Sequence, residues 1–295
     1  MRGLLLLDKP GGMTSNRALQ RVKHLFHAAK AGHTGSLDPL ATGMLPICFG
    51  AATSVCGYLL DARKAYRVVA RLGAATDTGD ADGQVVATAE GAPPDPASVA
   101  AVLRRFEGAI EQVPPMYSAL KQGGVRLYEL ARRGTSVPRA PRRVVIERLQ
   151  LESYRWPDLA LVVRCSKGTY VRTLVEDVAA TLGTLGHVRE LRRLHVDPFE
   201  GETMVELAAL EAAEAEGGLP ALDRMLLPLD RALPDWPAVA LSDGAAERLA
   251  HGQSVPADPS WPLGRARVYA PAGELLALGE VTAERRLVPL RVFAR

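Results

Sequence analysis

The sequence predicts an α+β fold, because its strand and helix patterns follow one another in an irregular order. Apolar residues make up 47% of the 295 residues, enough for a sizeable core. The β-rich runs and the amphipathic runs do not alternate as they would in a regular βαβ winding. Prolines punctuate residues 228–237, after which the patterns start again. These observations predict a large domain, residues 1–232, and a small domain, residues 238–295.

Strands are predicted where apolar and β-branched residues alternate or run together. In the large domain these runs are residues 3–7, 65–72, 144–155, 159–165 and 185–196. Helices are predicted at six places in the large domain, and in 14–28 and 169–182 apolar residues recur on one face. The six places are residues 14–28, 97–106, 127–133, 169–182, 204–215 and 221–227. In the small domain the patterns predict a helix at 242–251 and strands near 267–270, 275–281 and 287–293.

Charge is unevenly distributed along the chain, although the formal net charge is only +3. Residues 1–60 carry six Lys and Arg against two Asp and Glu, and residues 121–155 carry nine against three. Residues 201–217 hold five Glu and no basic residue. One such run alone is more often ordinary solvated charge, but together they indicate a polarised surface with a face suited to phosphates. The Pro-, Gly- and Arg-rich residues 114–143, called the insertion below, are expected to form an added lobe.

Several classes of protein are excluded by what the sequence lacks. Three cysteines without CxxC spacing, Cys48, Cys56 and Cys165, predict neither a disulfide framework nor a zinc site. The acidic loop at residues 73–83 fails the EF-hand pattern, because Thr stands where the first acidic ligand belongs. The apolar run at residues 4–7 is too short for a signal peptide or a membrane span. We therefore expect a soluble cytoplasmic protein.

The most informative segment is residues 31–43, AGHTGSLDPLATG, which places Asp38 among small, turn-forming and hydroxyl residues. Its three glycines permit close backbone approach or positive φ, and Pro39 biases Asp38 toward extended geometry. A carboxylate held at a defined angle suits a nucleophile or a general base. From the residues alone, an ordinary Asp-Pro turn remains the commoner interpretation.

Residues 31–46, AGHTGSLDPLATGMLP, closely resemble the catalytic loop of the TruB family of tRNA pseudouridine synthases. Four further segments resemble motifs of that family in the same order: GLLLLDKPGGMTS (3–15), KAYRVVARLGAATDTGDADG (64–83), VPPMYSALKQGGVRLYELARRG (113–134) and CSKGTYVRTL (165–174). The resemblance implies a pseudouridine synthase catalytic fold with a mixed, mainly antiparallel sheet. It also implies a small C-terminal β-barrel of the PUA type, which binds RNA.

The resemblance implies a catalytic role for three residues. Asp38 matches the catalytic aspartate, and Arg172 matches the arginine that pairs with it and keeps it ionised. Tyr66 matches a tyrosine whose ring stacks on the extruded base; its hydroxyl is a poor base at neutral pH, since the phenol pKa is near 10. Without the resemblance, Arg172 would be read as a helix-surface arginine and Tyr66 as a strand residue at the edge of the core.

Five more residues match supporting positions of the family. His33 matches a residue beside the space vacated by flipped nucleotides, although a lone loop histidine is usually solvated. Tyr170 and Leu191 match residues that line the uracil pocket. Lys9 and Pro10 match a motif that braces the catalytic loop.

The implied reaction isomerises uridine to pseudouridine at position 55, in the T loop of tRNA, and requires no metal or other cofactor. The insertion matches a clamp for the T arm, and the acidic 201–217 helix is expected to face away from the RNA. We expect a stand-alone monomer without an obligate protein partner. Two alternatives stay open: a catalytic subunit guided by a separate RNA, and an RNA-binding or tRNA-folding protein without essential catalysis.

Overall fold

A computed structural model of the protein describes residues 3–293. In chain order its strands are β1 (Gly3–Lys9), β2 (Ala31–His33), β3 (Thr42–Phe49), β4 (Lys64–Leu72), β5 (Ala74–Thr76), β6 (Val85–Thr88), β7 (Gly108–Gln112), β8 (Lys121–Gln122), β9 (Val125–Arg126), β10 (Arg142–Arg155), β11 (Asp158–Cys165), β12 (Gly186–Val196), β13 (Val205–Glu206), β14 (Ala238–Ala240), β15 (Val255–Pro256), β16 (Gly264–Tyr269), β17 (Leu275–Val281) and β18 (Arg286–Val292). Its α-helices are α1 (Ser15–Leu25), α2 (Cys56–Asp61), α3 (Pro96–Arg105), α4 (Leu127–Arg132), α5 (Val171–Thr181), α6 (Leu207–Asp223) and α7 (Asp243–Ala250). Residues 1–2 and 294–295, the outer ends of the two expected domains, lie outside the described residues.

A mixed, mainly antiparallel sheet of nine strands dominates the described part of the chain. Its order is β13-β1-β3-β12-β4-β11-β10-β7, and β2 pairs with β3 beside this path. The β1–β13 and β3–β12 pairs are parallel, and the other pairs are antiparallel. The α+β class and the mixed sheet predicted from the sequence are confirmed.

At β1 the sheet is buried on both faces, because successive strand residues point to opposite sides and almost all of them are buried. In β1, Leu5 and Leu7 pack with residues of α1 and α6. Leu4 and Leu6, on the other face, share a cluster with Leu278 of β17. The C-terminal region therefore contributes directly to the core beneath β1. Farther along the sheet, β4, β10, β11 and β12 form a third cluster with α3 and α5.

The C-terminal region is a five-stranded sheet of order β14-β16-β17-β18-β15. It curls into a half-barrel of the PUA-like kind, and its own core includes residues of α7. The three expected strands and the expected helix are present. Two further short strands, β14 and β15, were not expected, since two or three residues are too few to show a period.

The large region also differs from the sequence prediction in places. No strand is predicted at 42–49, yet β3 occupies these residues as an almost wholly buried run that shows no alternation. The short strand β7 is missed as well. The two helices expected at 204–215 and 221–227 form one element, α6, broken at Gly218 (φ 58°), and the second piece ends early, at Asp223. Within residues 3–293, no helix has the length and apolar character needed to cross a membrane.

Candidate active site

The loop that carries Asp38 lies beside the middle of β3, between the two strands that pair with the ends of β3. β12 pairs with the first two residues of β3, whereas β2 pairs with its last three. Residues 34–41 connect β2 to β3 between these two partners. Gly43, at the start of β3, has φ +98°, and a Cβ there would collide with the backbone of Arg193. Glycine is therefore required for β12 to approach the loop this closely.

Ser15 and Lys9 fix the Asp38 loop through hydrogen bonds to its backbone. The Ser15 hydroxyl accepts a hydrogen bond from the backbone N–H of Leu37 (2.7 Å) and lies 3.1 Å from its carbonyl oxygen. Lys9 is fully buried, and its ammonium donates to the carbonyls of Pro10 and Met13 (both 2.7 Å). It also reaches the carbonyl of Pro39, at 3.4 Å. Burial lowers the pKa of Lys9 to about 8, with Asp38 acting in the opposite direction.

Asp38 and Arg172 form a two-point ion pair. Arg172 Nε lies 2.9 Å from Oδ2 of Asp38, and Nη2 lies 3.2 Å from Oδ1. The Arg172 side chain is 5% exposed, whereas that of Asp38 is partly buried, at 37% exposed. Two parallel contacts fix the plane of the carboxylate as well as its charge. The pair thus presents an oriented carboxylate to the adjacent cavity.

Arg172 is itself held by two other segments. Its Nη1 donates to the carbonyl of Thr78 and its Nη2 to the carbonyl of Tyr117, both at 2.7 Å. Asp80, 5% exposed, lies 3.9 Å from Nε. The acidic loop at 73–83 and the base of the insertion therefore meet at the arginine that orients Asp38.

Burial raises the pKa of Asp38, and the charge of Asp80 acts in the same direction. Arg172 and Lys9 oppose this rise. A carboxylate that has lost part of its hydration is a stronger nucleophile and base than one in water.

A cavity of about 330 Å³ opens beside Asp38. Its lining includes Tyr66, Tyr170, Leu191 and Arg172. Desolvation raises the pKa of both tyrosines, so both rings are neutral phenols near pH 7. A cavity with apolar and aromatic walls can enclose a planar base, and the carboxylate of Asp38 can then act on it.

The sequence matches three family models in succession. Residues 23–171 match the TruB family pseudouridylate synthase N-terminal domain, and residues 172–234 match the tRNA pseudouridylate synthase B C-terminal domain. Residues 237–293 match the pseudouridine synthase II TruB C-terminal domain. The chain belongs to the TruB family. It is a pseudouridine synthase, an isomerase, as the resemblance implied.

Relatives in the TruB family extend over nearly the whole chain. A tRNA pseudouridine synthase B from Ectopseudomonas mendocina (strain ymp) is 51% identical over 291 residues, which cover 99% of this chain and 95% of the relative. The protein of that name from Pseudomonas aeruginosa (strain UCBPP-PA14) is 50% identical with the same coverage. A chain in the crystal structure of a Cbf5-Nop10-Gar1 complex superimposes with a TM-score of 0.73 at 27% identity, covering 99% of this chain and 84% of that one.

The eight residues that the TruB resemblance singled out fall into three positions. Asp38, Tyr66, Tyr170, Arg172 and Leu191 line the same cavity. Lys9 and Pro10 lie behind the Asp38 loop. His33 is on β2 near Arg193, its Nδ1 is buried without a hydrogen-bond partner among residues 3–293, and burial followed by Arg193 lowers its pKa.

Sequence reasoning missed Lys64, Asp80 and Arg193. Lys64 and Arg193 line the cavity, and Arg193 is among the largest fully buried side chains. Lys64 and Tyr66 are two residues apart on β4, so they share a face, and Arg193 of β12 stands directly opposite Tyr66. The two-residue period of β4 could have placed Lys64 on the same face as Tyr66, but charged residues in a strand usually face water.

One group of side chains within residues 3–293 has the ligands for a metal ion: His195, Asp197 and Glu200. Arg164 lies among them, 2.9 Å from a carboxylate oxygen of each acid and 3.3 Å from His195 Nε2. A guanidinium therefore already supplies the positive charge that these groups attract.

Proposed function

We propose that this protein isomerises the uridine at position 55, in the T loop of tRNA, with Asp38 as the nucleophile. The oriented Asp38–Arg172 pair at the wall of an aromatic cavity carries this proposal. Support for tRNA as the substrate comes from the relatives named tRNA pseudouridine synthase B, which align over 99% of this chain.

The chemistry requires a base to be detached and re-attached to the same sugar. The bond between N1 of uracil and C1′ of ribose breaks, the base turns, and a bond forms between C5 and C1′. C5 loses a proton and N1 gains one, so the atoms balance without an oxidant or a second substrate. Asp38 forms a covalent bond to the nucleotide before the base turns, and that bond breaks again by the time C5 is bonded to C1′, which regenerates the carboxylate. Arg172 keeps the carboxylate ionised and aligned, and Tyr66 and Tyr170 supply neutral surfaces on which the base turns.

The target base must leave its stack to reach Asp38. Bases in an RNA loop are extruded at lower cost than bases in a duplex, so a T loop suits this site. The insertion adds exposed positive charge beside the cavity. Near its start, the carbonyl of Tyr117 accepts a hydrogen bond from Arg172. The insertion therefore clamps the T arm by neutralising phosphates.

A second candidate is a catalytic subunit that depends on a guide RNA. The superposition on a chain of the Cbf5-Nop10-Gar1 complex favours a subunit of a larger assembly. The higher identity to tRNA pseudouridine synthase B and the basic insertion favour a stand-alone enzyme. A tRNA-folding role without essential catalysis is the third, and the intact Asp38–Arg172 pair argues against it.

We also propose a division of labour between the two expected domains. Residues 1–232 carry the reaction, and residues 238–295 contribute RNA binding. The protein acts in the cytoplasm as a monomer, without an obligate protein partner.

The deciding experiment uses purified protein and an unmodified tRNA transcript, with no guide RNA and no added cofactor. Pseudouridine is mapped by carbodiimide-blocked primer extension. A single stop at the T-loop uridine is expected. No product despite tight binding would point to one of the other two candidates, and a stop at another position would refute the assignment of the substrate site.

A further inference from the structure

Two buried cations in the active-site cavity have no part in the reaction described above. Arg193 is 1% exposed and Lys64 is 8% exposed, and both line the cavity that holds Asp38. They approach from adjacent strands, since Lys64 begins β4 and Arg193 lies opposite Tyr66 in β12. Positive charge is therefore concentrated on the sheet side of the cavity.

Neither cation forms an ion pair within the described part of the protein, and Asp61 and Asp197 act on Lys64 only from a distance. Among the described residues, no carboxylate oxygen lies within 4.0 Å of Lys64 or Arg193, whereas Arg172 is paired with Asp38. The Lys64 ammonium donates to the carbonyls of Leu60 (3.1 Å) and Ala62 (2.6 Å), which leaves one N–H free.

Arg193 is also only partly engaged. Its Nε donates to the carbonyl of Met44 (2.6 Å) and its Nη2 to the carbonyl of Gly35 (3.1 Å), and it contacts the Tyr66 hydroxyl. A guanidinium has five N–H groups, so two remain available. The contacts to Gly35 and Met44 orient Arg193, but carbonyl oxygens do not cancel its charge.

Holding two unneutralised cations together in a buried site is unfavourable. The pKa of Lys64 falls to about 8, first through burial and then through the charge of Arg193. Residues such as Ser36, Ser166, Thr169 and Gly168 complete this wall with small polar groups. An anion rich in oxygen atoms would relieve the repulsion and use the free donors.

We propose that Lys64 and Arg193 bind the backbone phosphate attached to the nucleotide whose base enters the cavity. This inference rests on the proposed function, because an extruded nucleotide brings its own phosphates to the cavity mouth. The two cations are positioning residues: they anchor the sugar–phosphate backbone so that C1′ is held near Asp38 while the base detaches and turns. Uracil itself is neutral and would not require them.

The test begins with the unaltered protein and altered substrates. A T-arm RNA is made with an uncharged methylphosphonate at one linkage: 5′ of the target uridine, 3′ of it, or at a remote stem position. We expect one of the two adjacent replacements to lower the single-turnover rate constant or kcat/KM by about tenfold or more. The remote replacement serves as the control for general loss of charge.

The second arm repeats the series with Lys64→Met and Lys64→Arg, each checked by thermal melting. Lys64→Met should modify the natural RNA more slowly than the unaltered protein does. Replacing the sensitive linkage should then reduce its rate constant much less, since the contact to that phosphate is already gone. Lys64→Arg should retain the sensitivity. Arg104→Gln, which removes an exposed charge on α3, should behave like the unaltered protein.

The outcomes separate this inference from the proposed function. If the unaltered protein modifies the natural RNA at the T-loop uridine but is equally insensitive to all three replacements, the phosphate site is refuted and the proposed function stands. If the sensitive linkage lowers the rate constant of Lys64→Met as much as that of the unaltered protein, Lys64 does not contact that phosphate. No modification of the natural RNA would overturn both.

Discussion

The cavity and the insertion both carry arginines, but they hold them in different ways. Arg172 is 5% exposed, its ionic partner is Asp38, and all three of its guanidinium nitrogens contact an acceptor. Arg132 and Arg133, in the insertion, are exposed and form no ion pair among residues 3–293; Arg132 lies against the ring of Tyr128. A buried, fully bonded guanidinium can orient one carboxylate, whereas exposed guanidinium groups are free to contact the phosphates of an RNA.

This difference separates two kinds of effect. Changes in the cavity should alter the rate at which bound RNA reacts, because they disturb the geometry around Asp38. Changes in the insertion should alter the affinity for RNA and its salt dependence, because exposed charges contribute through phosphate neutralisation.

Asp38→Asn is expected to have the largest effect. The amide keeps the shape of the side chain but cannot attack carbon, so turnover should fall by about 10⁴-fold or more, as when other covalent nucleophiles are removed. The affinity for tRNA should stay within about tenfold, roughly 1.4 kcal/mol. Single-turnover pseudouridine formation and filter binding measure the two quantities. Asp235→Asn, at an exposed position, is the isosteric control. High residual turnover in Asp38→Asn would remove Asp38 as the nucleophile.

Arg172→Ala should come next, with turnover reduced by about a hundredfold or more, since Asp38 loses its partner and the carbonyls of Thr78 and Tyr117 lose their donor. Arg172→Lys should restore only part of the rate, because an ammonium cannot make the two-point contact. Rates are measured at saturating RNA, beside melting curves. A rate for Arg172→Ala close to that of the unaltered protein would show that the pair does not matter to the reaction.

The pH profile is expected to show a smaller, graded effect. Asp38 acts ionised and its pKa in the folded protein is raised above 3.8, so activity is present above that raised pKa and is lost as the pH falls through it. The limb of log kcat/KM should have a slope of about one. Arg172, Asp80 and Lys9 are the charged groups that act on Asp38, and the charge of Asp80 raises its pKa. Asp80→Asn should therefore shift the limb to lower pH; an unmoved limb would contradict this account.

Arg132→Gln and Arg133→Gln should have the smallest effect, a roughly threefold to tenfold loss of affinity each. The slope of log Kd against log salt concentration should fall by about one for each lost phosphate contact. The rate constant at saturating RNA should not change. Arg104→Gln supplies the matched loss of one surface charge outside the insertion. A change in the saturated rate with unchanged affinity would reverse the assignment of the two regions.

Prediction from sequence succeeded where one periodic signal was enough. The helices α1 and α5 were predicted because their apolar residues repeat on one face, and Thr14 caps α1 as its side chain suggested. β3 was missed because a strand buried on both faces shows no alternation, and β14 and β15 were missed because they are too short. The Asp38 segment was identified by its resemblance to a family motif, since its turn residues alone favoured an ordinary turn.

The limits of sequence reasoning are clearest in the cavity. Arg193 lies more than 100 positions after Lys64 and Asp80, and each of the three occupies a position where a charged residue would ordinarily face water. Their burial arises because β4 pairs with β12 and the 73–83 loop packs against Arg172. No local pattern encodes such pairings, which depend on strand order and register.

By itself, the sequence determined the α+β class, the family, and Asp38, Tyr66 and Arg172 as candidate catalytic residues, because local periodicity and contiguous motifs carry that information. Only the tertiary structure decided that Arg172 contacts Asp38 at 2.9 Å and that Arg193 and Lys64 stand in the same cavity without an anionic partner. It also decided that the C-terminal sheet shares the core beneath β1. The physical reason is that burial, ion pairing and desolvation are properties of neighbours in space, which the pairing of distant strands creates.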